Sequence, residues 1–184
     1  QNLAAVDATT GAVVGTFTGT ADGRVAALAV AGADLIAAGE FVNIGGLART
    51  GVARLDAATG AAIAGFDAQS NGNVSSVVVS GANVFVGGAF AQMGGASRSR
   101  LAQIAAATGV ATTWNPGANA VVEQMGLVGS VLVVAGQFTQ VGGAERLRLA
   151  ALDTTGTTNV ALSWNPSLDS SADMLHVDGA GFVF

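Results

Sequence analysis

The stretch GGAFAQMGGASRSRLAQIAAATG, residues 87–109, contains the pattern that decides the fold. A Gly-x-Phe motif opens it, a glycine doublet follows, an arginine comes three residues after the doublet, and a short apolar run ends in Thr-Gly. The same frame occurs three times along the chain. Its positions are Gly39, Phe41, Gly45, Gly46, Arg49, Thr59 and Gly60 in one copy, Gly88, Phe90, Gly94, Gly95, Arg98, Thr108 and Gly109 in the next, and Gly136, Phe138, Gly142, Gly143, Arg146, Thr155 and Gly156 in the last.

The repeat has a period of 47–49 residues, read from the Thr-Gly glycines at positions 11, 60, 109 and 156. Each period contains short runs of Val, Leu and Ala bounded by glycine turns, which favour β-strands over helices. Repeats of this length with four strands are typical of β-propeller blades, whereas the coils of a β-solenoid are usually shorter. We therefore predict an all-β propeller domain over residues 1–184, with about four units of four short antiparallel strands, at about 1–38, 39–87, 88–135 and 136–184.

The predicted strands follow a fixed order around the Thr-Gly turn. The first strand runs into the turn, and the second leaves it and ends in an aromatic residue, which is Phe17, Phe66, Trp114 or Trp164. The third strand is predicted at Val25–Ala31, Val74–Ser80, Val122–Val128 and 172–178, and the fourth at 35–38, 84–86, 131–134 and 182–184. The chain ends carry complementary halves of one unit. We favour a segment of a larger propeller, because Phe184 stops inside a predicted strand, and a closed four-bladed ring is the alternative.

Composition narrows the functional classes. The chain has 51% hydrophobic and 10% charged residues and a net charge of −5, and it contains neither lysine nor cysteine. An acidic protein lacks the basic face that nucleic-acid binding requires, and a chain without cysteine has no disulfide framework and no thiolate metal site. No apolar run reaches the roughly 18 residues of a membrane helix. We expect no nucleic-acid partner and no membrane insertion.

Aspartates mark three of the four Thr-Gly turns, at Asp7, Asp56 and Asp153, and the remaining turn has Ala106 near that place. A carboxylate there can accept hydrogen bonds from backbone N–H groups two or three residues further on. We interpret these residues as turn caps. A calcium site is the alternative, but it would need five or more further oxygen ligands, which no local spacing supplies.

Arginine and tryptophan supply the candidate ligand-binding residues. Arg49, Arg98 and Arg146 each follow a glycine doublet by three residues. A guanidinium there would bridge backbone carbonyls or a carboxylate of the next repeat, or the three would form a rim that holds an anionic sugar or a carboxylate. Trp114 and Trp164 stand in Trp-Asn-Pro motifs, and each would pack against a neighbouring repeat or stack on a ligand.

The combined pattern resembles the bacterial delta-60-type propeller repeat. The motifs that carry the likeness are Gly-x-Phe, Gly-Gly-x-x-Arg, Leu/Val-Ala-x-Leu-Asp, Thr-Gly and Trp-Asn-Pro, and they cover nearly the whole chain. The glycine doublet is also similar to kelch repeats, and Asp-x-x-Thr-Gly followed by an aromatic residue is similar to quinoprotein blades. These resemblances imply a β-propeller, commonly in secreted or cell-surface proteins, and no single activity. A quinone site is not supported, and a kelch-type copper site would need Tyr and Cys, which the chain lacks.

No motif assigns a reaction. His176 is the only histidine and has no sequence partners for a metal site or a triad. We therefore expect no catalytic, cofactor-binding or metal-binding residues. The first hypothesis is a non-enzymatic scaffold outside the cell or at its surface, which binds a protein partner or assembles with itself. The alternatives are a carbohydrate-binding propeller and a fragment of a secreted enzyme with its catalytic residues elsewhere.

Overall fold

The regular secondary structure of the protein consists of short β-strands. The structure is a computed structural model, and it describes residues 2–156, 159–170, 175, 176 and 178. These residues contain no helix, and hence none that could cross a membrane. The strands are β1 (Val25–Ala31), β2 (Asp34–Gly39), β3 (Asn43–Ile44), β4 (Leu47–Ala48), β5 (Val52–Asp56), β6 (Val74–Ser80), β7 (Asn83–Gly88), β8 (Gln92–Met93), β9 (Ala96–Ser97), β10 (Leu101–Ala105), β11 (Val122–Val128), β12 (Val131–Gly136), β13 (Gln140–Val141), β14 (Ala144–Glu145) and β15 (Leu149–Asp153).

The strands form three antiparallel sheets with the same internal order. Sheet 1 is β1-β2-β5, sheet 2 is β6-β7-β10 and sheet 3 is β11-β12-β15. The first strand of each sheet has the bounds that the sequence predicts, and the second is longer by two or three residues. The first strands of successive sheets contact one another, so the sheets follow one another in sequence order. The predicted strands at 172–178 and 182–184 lie largely or wholly outside the described residues.

The chain segment that connects the second and third strands of each sheet forms a short hairpin, whose two strands have two residues each. These rim hairpins are β3–β4, β8–β9 and β13–β14. Their turns are the glycine doublets, as at Gly45 and Gly46, whose φ values are 57° and 85°. Positive φ at both central residues is what a type I′ hairpin turn requires. The doublet was therefore a hairpin signal, which our prediction of four short strands in each unit did not use.

The predicted strand after each Thr-Gly turn is reduced to a single bridge. In the first full repeat the bridge joins Leu55 to Ala62. The chain then leaves the sheet in a turn in which the Phe66 N–H donates to the Ile63 carbonyl at 3.1 Å. This turn places the Phe66 ring in the core, where it is fully buried. The prediction of a regular strand there was wrong, because the segment ends its ladder early to insert its aromatic residue between two sheets.

The core lies between the sheets. Alternate residues of a strand point to opposite faces, so sheet 2 buries one face against sheet 1 and the other against sheet 3. Sheet 1 contributes Ile36, Ala38 and Val52 to a cluster that also contains Val84, Val86, Ala102 and Ile104 of sheet 2. The next cluster repeats this arrangement with Phe85 and Leu101 of sheet 2 and Leu132, Val134, Ala150 and Leu152 of sheet 3.

The outer faces of the three-sheet array are covered by the chain segments that flank it. Leu3 and Phe17 pack on the face of sheet 1 that points away from sheet 2. Leu168 and Leu175 pack on the opposite end of the array, against Val133 and Leu149 of sheet 3. Each flanking segment therefore occupies the place that a neighbouring sheet occupies elsewhere in the array.

Candidate functional site

The three repeated arginines are bound to the backbone of their own repeat. Arg49 donates from Nη1 to the Ala48 carbonyl at 2.7 Å and from Nη2 to the Ala64 carbonyl at 2.9 Å. Arg98 and Arg146 make the equivalent pairs of bonds, with the carbonyls of Ser97, Thr112, Glu145 and Leu162. Each guanidinium thus joins a rim hairpin to the segment that follows the Thr-Gly turn.

This arrangement uses much of the hydrogen-bonding capacity of the arginines. All three side chains are half-buried, and their Nε atoms are buried without a hydrogen-bond partner in the part of the chain that is described. No carboxylate of a neighbouring repeat contacts them through a salt bridge among the described residues. The geometry is that of a backbone clamp, and the anion-binding rim of Arg49, Arg98 and Arg146 stays a prediction.

The two tryptophans occupy different environments. Trp114 is only 3% exposed and packs edge-on against Phe85 of sheet 2, with ring centroids 5.2 Å apart and an interplanar angle of 82°. Its Nε1 donates to the Asp153 carbonyl of sheet 3 at 2.9 Å. A ring buried between two sheets has no open face for a ligand. Trp164 is 41% exposed, so it is the tryptophan that could contact another molecule.

Polar caps hold the rim hairpins, and the sequence analysis missed them. Asp22 Oδ1 accepts hydrogen bonds from the N–H groups of Val42 and Asn43, at 2.9 and 3.0 Å. Asn71 and Asn119 cap the next two hairpins in the same way. The signal was the recurrence of Asp or Asn at positions 22, 71 and 119, at the repeat spacing. Hydrogen bonds from Asn43 lower the pKa of Asp22, and the bond from its backbone N–H has the largest effect.

Small clefts open beside the rim hairpins. They lie where the linker before a sheet meets the hairpin of its own or the preceding repeat, and their volumes are about 230, 250, 260 and 370 Å³. Amide and hydroxyl side chains recur in their walls, including Asn43, Asn71, Asn119, Gln140 and Ser167. These volumes are below or near the lower end of the range usual for ligand pockets, so each cleft suits a single small polar group rather than a large ligand.

The turn aspartates act as caps. Asp56 Oδ1 accepts bonds from the N–H groups of Ala58 and Thr59 and from the Thr59 hydroxyl, at 3.1, 2.8 and 2.7 Å. Asp7 and Asp153 cap their turns with the same chemistry. Hydrogen bonds from the following threonines are the main cause that lowers the pKa of all three carboxyls.

The third turn has no such cap. The Gly109 N–H donates to the Ala105 carbonyl, just as the Gly60 N–H donates to the Asp56 carbonyl, so the equivalent position is Ala105 rather than Ala106. Thr108 keeps its role in that turn, because its hydroxyl accepts the Val110 N–H at 3.3 Å. The turn therefore forms without a carboxylate, which agrees with a structural role for the aspartates.

One ion pair lies within sheet 1, and its arginine also bonds the next repeat; neither contact was expected from the sequence. Arg54 lies on β5 and bonds Asp34 on β2 through Nε and Nη2, both at 2.7 Å. Its Nη1 donates to the Ala106 carbonyl of the next repeat at 2.8 Å. The pair is partly buried, and the other two repeats have neutral residues at both positions. Arg54 therefore connects sheet 1 to sheet 2 specifically.

No metal-binding cluster is found in the described part of the chain, where no three His, Cys, Asp or Glu side chains come together. His176 is exposed at the end of the array, beside Leu175. The side chains that the repeats bring to equivalent places are thus arginines, aspartates and asparagines that bond the backbone. What the geometry presents outward is a row of rim hairpins with small polar clefts between them.

Comparison with known proteins supports the fold. A family model described as a domain of unknown function (DUF5122) beta-propeller matches residues 34–61 and 130–160, which is less than half of the chain. No curated protein matches the sequence. The crystal structure of the computationally designed protein Ika8 is similar with a TM-score of 0.53 and 13% identity, over 95% of this chain and 61% of that one.

These findings confirm the propeller prediction but not its finer resemblances. The chain spans 61% of the length of the designed protein, and an identity of 13% shows a likeness of fold alone. The matched family has no assigned function, and the specific likeness to delta-60, kelch or quinoprotein repeats stays a prediction. The three sheets, with their repeated order and the family match, identify the chain as an all-β protein built from β-propeller repeats.

Proposed function

We propose that this chain is a non-enzymatic propeller scaffold that binds protein partners through its rim hairpins. The observation that carries the proposal is the repetition of rigid, exposed hairpins at one place in every described repeat. Each is capped at its base by Asp22, Asn71 or Asn119 and clamped by an arginine. Rigid scaffolds that present loops in fixed positions are a common basis for protein recognition.

The chemistry of the repeats favours a scaffold over an enzyme. A catalytic group has to be free to contact a substrate, whereas the repeated arginines and aspartates donate to or accept from the local backbone. The same hydrogen bonds reduce the conformational entropy that the loops would lose on binding, because they already hold the loops in place. We propose a location outside the cell or at its surface, supported by the resemblance to repeats that are common in such proteins.

A carbohydrate-binding propeller is the second candidate, and the rim clefts favour it. Their amide and hydroxyl side chains, such as Gln140 and Ser167, are groups that could bond sugar hydroxyls. Because a cleft lies beside a hairpin in successive repeats, weak binding at each one would add up through multivalency. A fragment of a secreted enzyme is the third candidate, with its reactive residues in another part of the protein.

The test is affinity capture from secreted and surface fractions of the source cells, with quantitative mass spectrometry. Gln92→Arg and Gln140→Arg place a charge on exposed positions of two rim hairpins, and Ala58→Arg places one in a Thr-Gly turn as the matched control. We expect one set of proteins to be retained by the wild type and the control and lost by the rim variants at unchanged melting temperature. Retention by every variant would contradict rim binding, and glycan-array binding without protein capture would favour the second candidate.

A further inference from the structure

One position of the repeat carries arginine in two sheets and glycine in the first. The position directly precedes the third strand of each sheet, and it holds Gly51, Arg100 and Arg148. The three residues are equivalent in the fold, because the N–H of each donates to the carbonyl of the phenylalanine in its own Gly-x-Phe motif, at 3.0, 3.0 and 2.9 Å. Their φ values are also alike, at 73°, 61° and 64°. The backbone is therefore the same in all three sheets, and only the first lacks a side chain there.

The arginine of the third sheet shows which group this place accepts. Arg148 donates from Nη1 to the Leu168 carbonyl at 2.9 Å, so its side chain spans from the sheet to the linker that follows. Arg100 is half-buried at the same place, and its side chain makes no hydrogen bond within the described part of the chain. In the first sheet the carbonyl equivalent to that of Leu168 belongs to Ser70. The two residues correspond because the N–H of each donates to the carbonyl of the residue just before position 148 or 51, at 3.1 and 3.3 Å.

In the first sheet the glycine position lies in the wall of an open cleft. The cleft has a volume of about 250 Å³ and lies between the bases of the first two rim hairpins. Its walls are mostly polar and include Glu40, Thr50, Gly51, Ser70, Asn71 and Asn73. The carboxylate is special to this sheet, because Ala89 and Gln137 stand at the position of Glu40 in the other two. The sheet that lacks the arginine therefore has a carboxylate that can pair with a guanidinium.

We propose that this cleft binds the guanidinium of an arginine side chain from a protein partner. The group takes the place that Arg148 occupies in the third sheet, and it donates to the Ser70 carbonyl and to the Glu40 carboxylate. A planar guanidinium carries five N–H donors, so one group can bond a carbonyl and a carboxylate together. The inference rests on the proposed binding of proteins at the rim, and it deepens that proposal by naming the side chain that the partner contributes.

The Glu40 carboxylate has capacity for this bond. Its Oε1 lies 3.3 Å from Arg24 Nη1, and the two side chains are 41% and 71% exposed. Its Oε2 accepts no hydrogen bond from the described residues. An exposed pair of this kind contributes little to stability, so an incoming guanidinium can share the carboxylate or displace Arg24. The positive charge of Arg24 opposes the binding of a cation, and Arg24→Ala should therefore tighten binding by about twofold.

Titration with N-acetyl-arginine amide, followed by NMR, tests the proposal. The probe presents a guanidinium without charged ends, and it should shift the backbone amide signals of Gly51 and Gly72 in the cleft walls. We expect a dissociation constant of about 1 mM, the scale for a ligand of this size. N-acetyl-citrulline amide has a similar shape without the charge, and it should bind about tenfold more weakly.

Matched carboxylate variants locate the binding. Glu40→Gln should weaken the binding of the arginine probe by about tenfold, because the charge-assisted hydrogen bond is lost. Glu123→Gln makes the same change in the third sheet, where Glu123 bonds Gln137 and Arg148 is in place. This control should bind the probe as the wild type does.

The second sheet allows a gain of binding to be measured. Ala89→Glu and Arg100→Gly together give this sheet the carboxylate and the open position of the first. The fold should tolerate both, since Ala89 is exposed and glycine adopts the φ of 61° at position 100 without strain. In a Glu40→Gln background the pair should restore binding of the arginine probe, and Arg100→Gly alone should not.

Three results would overturn the proposal. They are a folded wild type whose cleft signals do not move, a Glu40→Gln variant that binds the arginine probe as tightly as Glu123→Gln, and a folded sheet 2 variant that restores no binding. In affinity capture, Glu40→Gln should lose the proteins that the wild type retains. Retention of all of them without probe binding would assign the cleft to a small guanidinium compound and overturn the protein source. The rim variants are measured separately, so failure at the cleft leaves rim binding untouched.

Discussion

Replacement of Gly60 by alanine tests the close packing of successive repeats. Gly60 ends a Thr-Gly turn at φ 75°, and a Cβ there would lie 2.6 Å from both the Cα and N of Gly19 and 2.9 Å from the Phe17 ring. Carbon atoms pack best at about 3.5–4.0 Å, so the backbone of the preceding repeat must move. The left-handed conformation costs an alanine about 1–2 kcal/mol, and overpacking adds about 1–3 kcal/mol.

Gly11→Ala separates these two costs. Gly11 ends the same kind of turn at φ 71°, but nothing lies within 4 Å of its Cβ position. Urea unfolding of both variants should show Gly60→Ala less stable than Gly11→Ala by about 1–3 kcal/mol. Gly109→Ala should behave like Gly60→Ala, since its Cβ would lie 2.8 Å from the Ala68 N. Equal losses at Gly11 and Gly60 would refute the steric argument.

Three further predictions concern the core, the clamp and the turns. Trp114→Ala should lower the free energy of unfolding by about 3–5 kcal/mol, as measured by urea unfolding, while Trp164→Ala should change it little, because the Trp164 side chain is exposed. Arg98→Ala should lower it by about 2 kcal/mol through the lost clamp; an unchanged melting temperature with loss of a bound anion would instead favour the anion-binding role. Because the pKa of the cap carboxyls, Asp56 among them, is lowered in the folded state, their contribution is present above about pH 4 and is lost as the pH falls through the folded pKa. Ala105→Asp should therefore raise the melting temperature at neutral pH and lose that gain in acid, whereas a gain that persists in acid would argue against capping.

Parts of the candidate site could be predicted from single repeats. The aspartates that cap the turns were recognisable because a carboxylate before Thr-Gly has a local partner two or three residues away. The arginines were recognisable as repeated residues. Whether they bond a ligand or the backbone depends on the carbonyls of Ala64, Thr112 and Leu162, which lie 14 to 16 residues further along the chain. Nothing in the local sequence states that distance, so only the folded chain could decide between the two roles.

The rim hairpins show a related difference. The Gly45–Gly46 doublet was visible, yet our prediction used it as a repeat marker and not as a type I′ turn. The segment that contains Ala62 was predicted as a strand between the Thr-Gly turn and Phe66, and it forms a single bridge. The folded chain shortens it, because burying Phe66 between two sheets stabilises the structure more than extending a solvent-facing ladder would.

The sequence by itself determined the repeat, the class of secondary structure and the bounds of β1, β6 and β11, because glycine turns and the short apolar runs between them are local features of the chain. Only the tertiary structure decided which copies of the same motif are buried and which are exposed. Trp114 and Trp164 stand in the same Trp-Asn-Pro motif, yet Trp114 is buried and Trp164 is exposed. Gly11 and Gly60 end the same Thr-Gly turn, yet only Gly60 has atoms close to its Cβ position. The physical reason is that burial depends on which distant segments of the folded chain pack against a residue, and a residue's own motif carries no information about those segments.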